Sequence, residues 1–259
     1  ASLKVNQLPD FERTDSNSIV CLNLDPITLE VASLDNRTYR YSWTKDGIDF
    51  PLNIADVDAQ ILVYDGGTYE VTAETTDGTN CSKKISMVLI PSEIATLTQD
   101  DLTVIDLEGD TGSVEITTTN LGVGAYEFAI DDPSGPYQDT PYFDDLLPGI
   151  HMVYIQDKNS CGIAEIEASI LGHMKFFSPN GDGTNDFWRI LGVSENFQPN
   201  SRVYVYDRNG KLLVDLDPLG IGWDGTYNGF QLPQDDYWFR VFFDNGKERI
   251  GHFSLLRSE

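Results

Sequence analysis

The oxygen-bearing side chains of one short segment have the spacing of a cation-binding loop. Between Asn180 and Asp186, side-chain oxygens stand at every second position, on Asn180, Asp182, Thr184 and Asp186, with two glycines and Asn185 between them. Oxygen ligands that alternate with glycine let a tight loop wrap a hard cation, as the first half of an EF-hand loop wraps Ca²⁺. The segment therefore predicts a Ca²⁺ site, and Ca²⁺ is the only cofactor that the sequence suggests.

The loop is one ligand short, and a metal-free interpretation stays open. If Asn180 is position 1, the position of the bidentate Glu of an EF-hand is Leu191. A further ligand would have to come from elsewhere in the chain, and Asp224 is the candidate. Asn and Asp side chains also form turns by accepting hydrogen bonds from their own backbone, without any metal.

No catalytic pattern accompanies these residues. His151, His173 and His252 stand in unrelated contexts, and there is no nucleophile elbow, zinc motif or phosphate loop. Among 42 acidic residues, carboxylate pairs arise by chance. The formal net charge of −25 disfavours nucleic acid and anionic membrane surfaces. We therefore expect no enzyme activity, no nucleic-acid partner and no small-molecule substrate.

Aromatic rings offer an alternative binding function. Trp188, Trp223 and Trp238 are candidates for stacking on carbohydrate. A Trp beside a Gly turn more often packs in the core, and we favour that interpretation. The alternative function is a calcium-stabilised carbohydrate-binding or adhesive module of a secreted hydrolase.

Strand signals run along the whole chain. Aromatic residues make up 11% of it, Thr, Val and Ile recur, and turn clusters punctuate the sequence about every ten residues. Segments 39–43, 126–130 and 202–206 alternate as half-buried strands do. Asn209-Gly210 and Asn245-Gly246 each predict a hairpin, and no run of 18 apolar residues predicts a membrane span. The predicted fold class is all-β.

One pattern occurs three times. The segments that begin at Gly67, Gly149 and Asp235 each lead into a strand, and they lie about 82 and 86 residues apart. This period predicts three tandem immunoglobulin-like β-sandwich domains, over residues 1–91, 92–172 and 173–259, with linkers near Pro91-Ser92 and Leu171-Gly172. Because Ala1-Ser2 leads directly into a strand at Leu3 and Val5, we expect a monomeric fragment of a longer protein.

The first predicted domain carries immunoglobulin landmarks. Trp43 follows Cys21 at the distance of a core tryptophan, and Tyr69 after a Gly-Gly turn resembles a tyrosine corner. If the chain is secreted, a disulfide between Cys21 and Cys81 is expected, and it would pin one end of the sandwich; two free thiols are the alternative. Cys161 is then left as an unpaired thiol.

Five segments in the last predicted domain together resemble a known family. They are Phe-Phe-Ser-Pro-Asn-Gly-Asp-Gly-Thr-Asn-Asp-Phe-Trp from 176, Val-Tyr-Asp-Arg-Asn-Gly-Lys-Leu-Leu from 205, Gly-Trp-Asp-Gly-Thr-Tyr-Asn-Gly from 222, Leu-Pro before Asp-Tyr-Trp, and a final Gly-x-Phe-x-Leu strand. In this order they resemble the gliding motility-associated C-terminal domain, the type B sorting domain of Bacteroidetes proteins exported by the type IX secretion system. The residues that carry the motif are Phe177, Pro179, Asn180, Gly181, Asp182, Gly183, Asn185, Asp186, Trp223, Asp224 and Gly225.

The resemblance implies a role in export. Domains of this family are recognised in the periplasm, passed through the outer-membrane translocon and delivered to the cell surface or the medium. The implied partners are the type IX translocon with its PorV-type shuttle protein and a PorP/SprF-type outer-membrane protein. The first two predicted domains resemble the PKD or immunoglobulin-like repeats of gliding adhesins, which implies that they form a stalk.

Overall fold

The computed structural model describes residues 6–51, 59–106 and 110–257. This part of the chain contains β-strands and one 3₁₀ turn, Gln99–Asp101, so the predicted all-β fold class is confirmed. No helix within these ranges is long and apolar enough to cross a bilayer. The strand predicted at Leu3 and Val5 lies outside the described residues.

The strands are β1 Phe11–Arg13, β2 Ile19–Cys21, β3 Ile27–Ser33, β4 Tyr39–Lys45, β5 Ile48–Asp49, β6 Gln60–Val63, β7 Gly67–Thr75, β8 Ser82–Ser92, β9 Leu102–Ile105, β10 Gly112–Ile116, β11 Tyr126–Ile130, β12 Tyr142–Leu146, β13 Gly149–Asp157, β14 Ile163–Ile170, β15 Gly172–His173, β16 Phe176–Phe177, β17 Ile190–Leu191, β18 Arg202–Tyr206, β19 Leu212–Leu216, β20 Thr226–Tyr227, β21 Phe230–Gln231, β22 Asp235–Phe242 and β23 Glu248–Leu255.

The chain divides into two compact units. The first comprises Ala1–Thr96, Leu121–Glu127 and Ile155–Ala164, and the second comprises Leu97–Asn120, Phe128–Tyr154 and Glu165–Glu259. These bounds differ from the three predicted domains, so the division into 1–91, 92–172 and 173–259 stays a prediction.

The first unit contains a sandwich with an aromatic core. Its two sheets have the strand orders β1-β3-β6 and β2-β8-β7-β4-β5. Residues 39–43 of β4 alternate between core and solvent, which buries Tyr39, Tyr41 and Trp43. Trp43 is thus the core tryptophan that the sequence predicts.

The predicted Cys21–Cys81 disulfide is wrong, and so is the free thiol predicted at Cys161. Cys21 is bonded to Cys161, with 5.4 Å between their Cα atoms, and Cys81 is free. The strand order explains why Cys81 cannot reach. Cys21 pairs with Ser92 at one end of β8, whereas Cys81 precedes the other end. An 11-residue strand separates them, which is roughly 35 Å at about 3.3 Å per residue, far beyond disulfide reach.

The second unit is built around a five-stranded sheet in the order β16-β23-β22-β18-β19. Its inner face buries a cluster of aromatic side chains that includes Phe177, Trp188, Trp223, Phe239 and Phe253. Smaller sheets have the orders β12-β10-β9, β15-β17 and β20-β21. A further sheet has the order β11-β13-β14, within residues 126–170.

The two predicted linkers lie within or directly beside ordered strands. Ser92 is the last residue of β8, is fully buried and donates its hydroxyl to Asp157 at 2.8 Å. Leu171 is buried, and the next residue, Gly172, pairs with Leu191 in the β15-β17 sheet. Neither segment is an exposed loop of the kind that separates independent domains.

The third residue of each repeated segment, those that begin at Gly67, Gly149 and Asp235, forms a hydrogen bond from its side chain to the backbone. In each case a Tyr hydroxyl or a His ring nitrogen bonds to the backbone carbonyl oxygen four residues earlier, as in a tyrosine corner. The pairs are Tyr69 with Asp65 at 3.0 Å, His151 with Leu147 at 2.7 Å and Tyr237 with Pro233 at 2.9 Å. The tyrosine corner predicted at Tyr69 is confirmed, and His151 occupies the equivalent position in the middle repeat.

Candidate functional site

The loop from Asn180 to Asp186 is organised by one carboxylate. Asp186 accepts hydrogen bonds from the backbone N–H groups of Asn180 at 3.0 Å, Gly181 at 2.7 Å and Gly183 at 2.8 Å. Gly181 and Gly183 have φ of +80° and +86°, and open space surrounds the place where a Cβ would stand. Glycine is therefore needed here for its backbone conformation and not for close packing.

Asn180 and Asp182 complete the loop with Asx turns. Asn180 Oδ1 accepts the backbone N–H of Asp182 at 3.0 Å, and Asp182 Oδ1 accepts that of Thr184 at 2.7 Å. The Asn180 amide donates to the second oxygen of Asp182 at 2.8 Å. These bonds lower the pKa of Asp182 below its ordinary value, first through Asn180 and then through Thr184.

The carboxylates among the predicted Ca²⁺ ligands are therefore already engaged with donors of their own chain. Both carboxylate oxygens of Asp186 and both of Asp182 accept hydrogen bonds. Asp224, the candidate for a further ligand, accepts from the backbone N–H and the hydroxyl of Thr226. Among the described residues, no three His, Cys, Asp or Glu side chains form a metal-binding cluster. The hydrogen bonds account for the loop without a metal, and Ca²⁺ binding stays a prediction.

A second motif segment, residues 222–225, packs against the core. Trp223 and Trp188 bridge through reciprocal backbone hydrogen bonds of 2.9 and 2.8 Å. Gly222 adopts φ of +103°, and a Cβ there would stand 2.5 Å from the carbonyl oxygen of Trp188. Only glycine permits this approach, which joins the segment after Phe187 to the turn at 222–229.

Phe177 and Gly225 connect the two motif segments. The rings of Phe177 and Trp223 are 5.6 Å apart, and Phe177 is fully buried. A Cβ on Gly225 would lie 3.2 Å from both Phe177 and Leu255. The structure thus brings the predicted motif residues Phe177, Trp223 and Gly225 together in the core and leaves residues 180–185 at the surface.

The three candidate tryptophans of the carbohydrate interpretation have different surroundings. Trp188 is fully buried, stacks on Phe253 with 3.9 Å between ring centroids and donates its indole N–H to the Met174 carbonyl at 2.8 Å. Trp223 is also buried and donates to the Thr226 carbonyl at 2.9 Å. Both are core residues. Trp238, on the outer face of β22, is 39% exposed.

The histidines do not form a common site among the described residues. His151 contacts the Leu147 carbonyl with Nε2 and the Asp131 carboxylate, 2.7 Å away, with Nδ1. Both ring nitrogens of His151 are thus engaged in hydrogen bonds. His173 is packed 4.6 Å from the Phe239 ring. Burial lowers its pKa, and nearby Arg249 lowers it further.

The predicted C-terminal strand is not the open edge of its sheet. β23 lies between β22 and β16, and Phe176 and Phe177 of β16 pair in parallel with Ser254 and Leu255. The strand at the opposite end of the sheet, β19, pairs with β18 and with no other described strand. Strand order depends on long-range pairing, so the sequence alone could not show which strand forms the edge of the sheet.

A protein-family model matches the part of the chain that contains the motif segments. Residues 171–255 match the model of the CHU_C type IX secretion signal domain. This segment is a type IX secretion signal domain. We call this segment the signal domain. The match confirms the family resemblance that the motifs predict, over nearly the same range of residues. A signal of this type is recognised by the type IX secretion machinery, and the chain is exported across the outer membrane to the cell surface or secreted.

Solved structures with similar chains are β-rich and only distantly related in sequence. Immunoglobulin domains 1–5 of Sidekick-1 match with 11% identity and a TM-score of 0.40, over 97% of this chain and 60% of that chain. Three N-terminal domains of the outer capsid protein Hoc of bacteriophage RB49 match with 16% identity and a TM-score of 0.31, over 97% and 99%. The insect immune protein hemolin matches with 14% identity and a TM-score of 0.31, over 97% and 77%.

These TM-scores are below 0.5, so the fold assignment rests on the strands and sheets themselves. The chain spans 60% of the length of the Sidekick-1 segment. No curated protein matches the sequence.

Proposed function

We propose that this chain is part of a longer surface adhesin in which the signal domain directs type IX export and the preceding β-sandwich repeats form a non-catalytic stalk. The observation that carries the proposal is the match of residues 171–255 to the type IX secretion signal domain. The contacts of Phe177, Trp223 and Gly225 support it, because they give the motif residues a structural reason to occur together.

The stalk role rests on the repeated ring-to-backbone contact. Tyr69, His151 and Tyr237 stand at equivalent positions, and each fixes the turn before a long strand. Repeated sandwich units along a chain suit a spacer role. The proposed partners are the type IX translocon, its PorV-type shuttle and a PorP/SprF-type outer-membrane protein.

The test is a delivery experiment. A reporter fused before residue 1 of the full chain should reach the surface of a type IX-competent host, and it should remain in the periplasm of the same host without the translocon. A matched fusion that ends at residue 170 should also remain in the periplasm. Retention of the full-chain fusion in the competent host would overturn the proposal.

Exposed Trp238 supports a second candidate function, carbohydrate binding. A groove of about 300 Å³ beside it is lined by Tyr206, Asp207, Arg208 and Arg240 as well as by Ile250. An exposed ring flanked by charged side chains suits a pyranose, whose apolar face can stack on the indole. A glycan array with the wild-type chain and W238A tests this function: loss of a signal in the variant supports it, and a blank array for the wild-type chain contradicts it.

A further inference from the structure

The five-stranded sheet of the signal domain ends on a strand with an open side. β19 pairs with β18 through Leu216 with Val203 and Val214 with Val205. Along residues 212–216, no backbone hydrogen bond to any other described segment is found. Alternate N–H and C=O groups of such an edge strand point away from the sheet, where another strand can pair with them.

The opposite end of the sheet, formed by β16 and β23, offers less room for an added strand. There β16 covers the end of β23, and the Lys175 ammonium group forms an ion pair with Asp110. Lys247, just before β23, lies 3.2 Å from the carboxylate of Asp106. Residues of the same compact unit therefore lie beside that side, whereas no described strand pairs with the outer side of β19.

A groove lies beside this edge. It measures about 380 Å³ and is lined by the apolar residues of β19, by Phe187 and Ile221, and by the turn that holds the motif residues Trp223 and Asp224. Ile221 is 72% exposed, and Phe187 is also exposed. Side chains of an added strand point alternately to its two faces, so one set would enter this groove.

The edge carries negative charge. Asp215, Asp217 and Asp224 are all exposed, and none forms an ion pair with another described residue. Like charges placed opposite each other across strands are destabilising, so a second copy of this edge would be repelled. The pairing with β18 is also irregular between Val205 and Tyr206, and such bulges discourage pairing between identical edges. A segment that carries Lys or Arg would be attracted.

We propose that β19 is the docking edge of the signal domain: an extended basic segment of the export machinery adds to the sheet as a sixth strand. This proposal rests on the proposed export function. Apolar side chains of the added strand occupy the groove, and its Lys or Arg side chains face Asp215 and Asp217. Five residues of β19 span roughly 17 Å and offer about five outward donors and acceptors.

Charge reversal at Asp215 tests the proposal in the delivery assay. Asp215 is exposed and makes no side-chain hydrogen bond with a described residue, so D215K should leave the fold intact, as judged by an unchanged urea midpoint. The matched control is D144K, an equal charge change on β12, which is the edge strand of another sheet in the same unit. We expect D215K to lower surface delivery at least fivefold and D144K to change it less than twofold.

The outcomes separate the two proposals. If the wild-type chain is not delivered, the export function itself fails. If the wild-type chain is delivered and D215K is delivered equally well, or if D144K fails as badly as D215K, the docking edge is wrong while the export function stands.

Hydrogen exchange tests strand addition directly on the purified full chain. The probe is a seven-residue synthetic peptide of alternating Lys and Val, and the control peptide has Glu in place of Lys. We expect saturating Lys peptide to slow exchange of the outward amides within residues 212–216 at least tenfold, and the Glu peptide to slow it less than twofold. Absence of slowing at these residues, or equal slowing by both peptides, would overturn the proposal.

Discussion

Removing the Asp186 carboxylate should open the 180–186 loop. In D186A, the backbone N–H groups of Asn180, Gly181 and Gly183 lose their acceptor together. A hydrogen bond to a charged group contributes about 1.5–3 kcal/mol when buried, and water recovers part of it at this half-buried site. We expect the signal domain to lose about 2 kcal/mol of stability.

Tryptophan fluorescence during urea unfolding measures this loss. Trp188, Trp223 and Trp238 all lie in the signal domain, so their emission reports mainly on its unfolding. With a denaturant dependence of about 1–2 kcal/mol per molar urea, the midpoint should fall by about 1–2 M. D182A is the graded control, because only one backbone N–H, that of Thr184, bonds to Asp182. It should give a clearly smaller shift.

Two results would refute this account of the loop. Equal shifts for D186A and D182A would show that the three N–H bonds to Asp186 do not dominate. A D186A shift near zero would show that water replaces the carboxylate completely. The same titration decides the calcium prediction: a Ca²⁺ site in this loop requires that excess Ca²⁺ raise the wild-type midpoint and leave that of D186A unchanged, whereas equal wild-type midpoints in Ca²⁺ and in chelator rule the site out.

Four further predictions concern the rest of the chain. G222A places a Cβ 2.5 Å from the Trp188 carbonyl oxygen and should cost more than about 3 kcal/mol, whereas G210A, with open space around it, should cost about 1 kcal/mol; equal urea midpoints would contradict this. Peptide mapping without reductant should recover Cys21 joined to Cys161 and an alkylated Cys81, and C21S should lose about 2–4 kcal/mol; a peptide that joins Cys21 to Cys81 would contradict the assignment. Burial lowers the pKa of His173 from 6.5, so the folded state binds a proton at this residue less readily than the unfolded state does. The stability that His173 contributes is therefore complete above about pH 6.5 and is lost as the pH drops through the folded pKa. H173Q should flatten the plot of unfolding free energy against pH between about pH 7 and 5, and an unchanged slope would exclude His173 as its source. Y237F removes the hydroxyl that bonds to Pro233 and should cost about 1 kcal/mol in the same fluorescence assay, and a midpoint equal to that of the wild type would show that the corner contributes nothing.

Local patterns predicted the strands and the hairpins well. The alternating segments at 39–43, 126–130 and 202–206 all lie within strands, and the Asn-Gly turns at 209–210 and 245–246 connect antiparallel neighbours. These features depend on residues close in sequence, where side-chain alternation and turn conformation decide the outcome. The buried position of Trp43 follows from the same alternation.

Features that depend on long-range pairing could not be read in this way. The partner of Cys21 is decided by the parallel pairing of β2 with the far end of β8, which no local pattern records. The open edge at β19 depends on the order of five strands. The contact of His151 with Leu147 had a usable signal, since His151 stands where the neighbouring repeats have Tyr, but the three histidines were considered only together, as residues without a catalytic pattern.

The bond between Cys21 and Cys161 decides which part of the chain carries tension. A pull on the two ends of the chain follows the backbone to Cys21, crosses the sulfur bridge and continues from Cys161, and the sequence separation between the two cysteines is 140. The loop between them is closed covalently, so it bears no load and does not lengthen, even when its sheets unfold. At about 3.4 Å per extended residue, oxidation withholds roughly 480 Å of contour length, and reduction releases it. In the proposed stalk, this single bond separates a short, stiff connection from a long, compliant one.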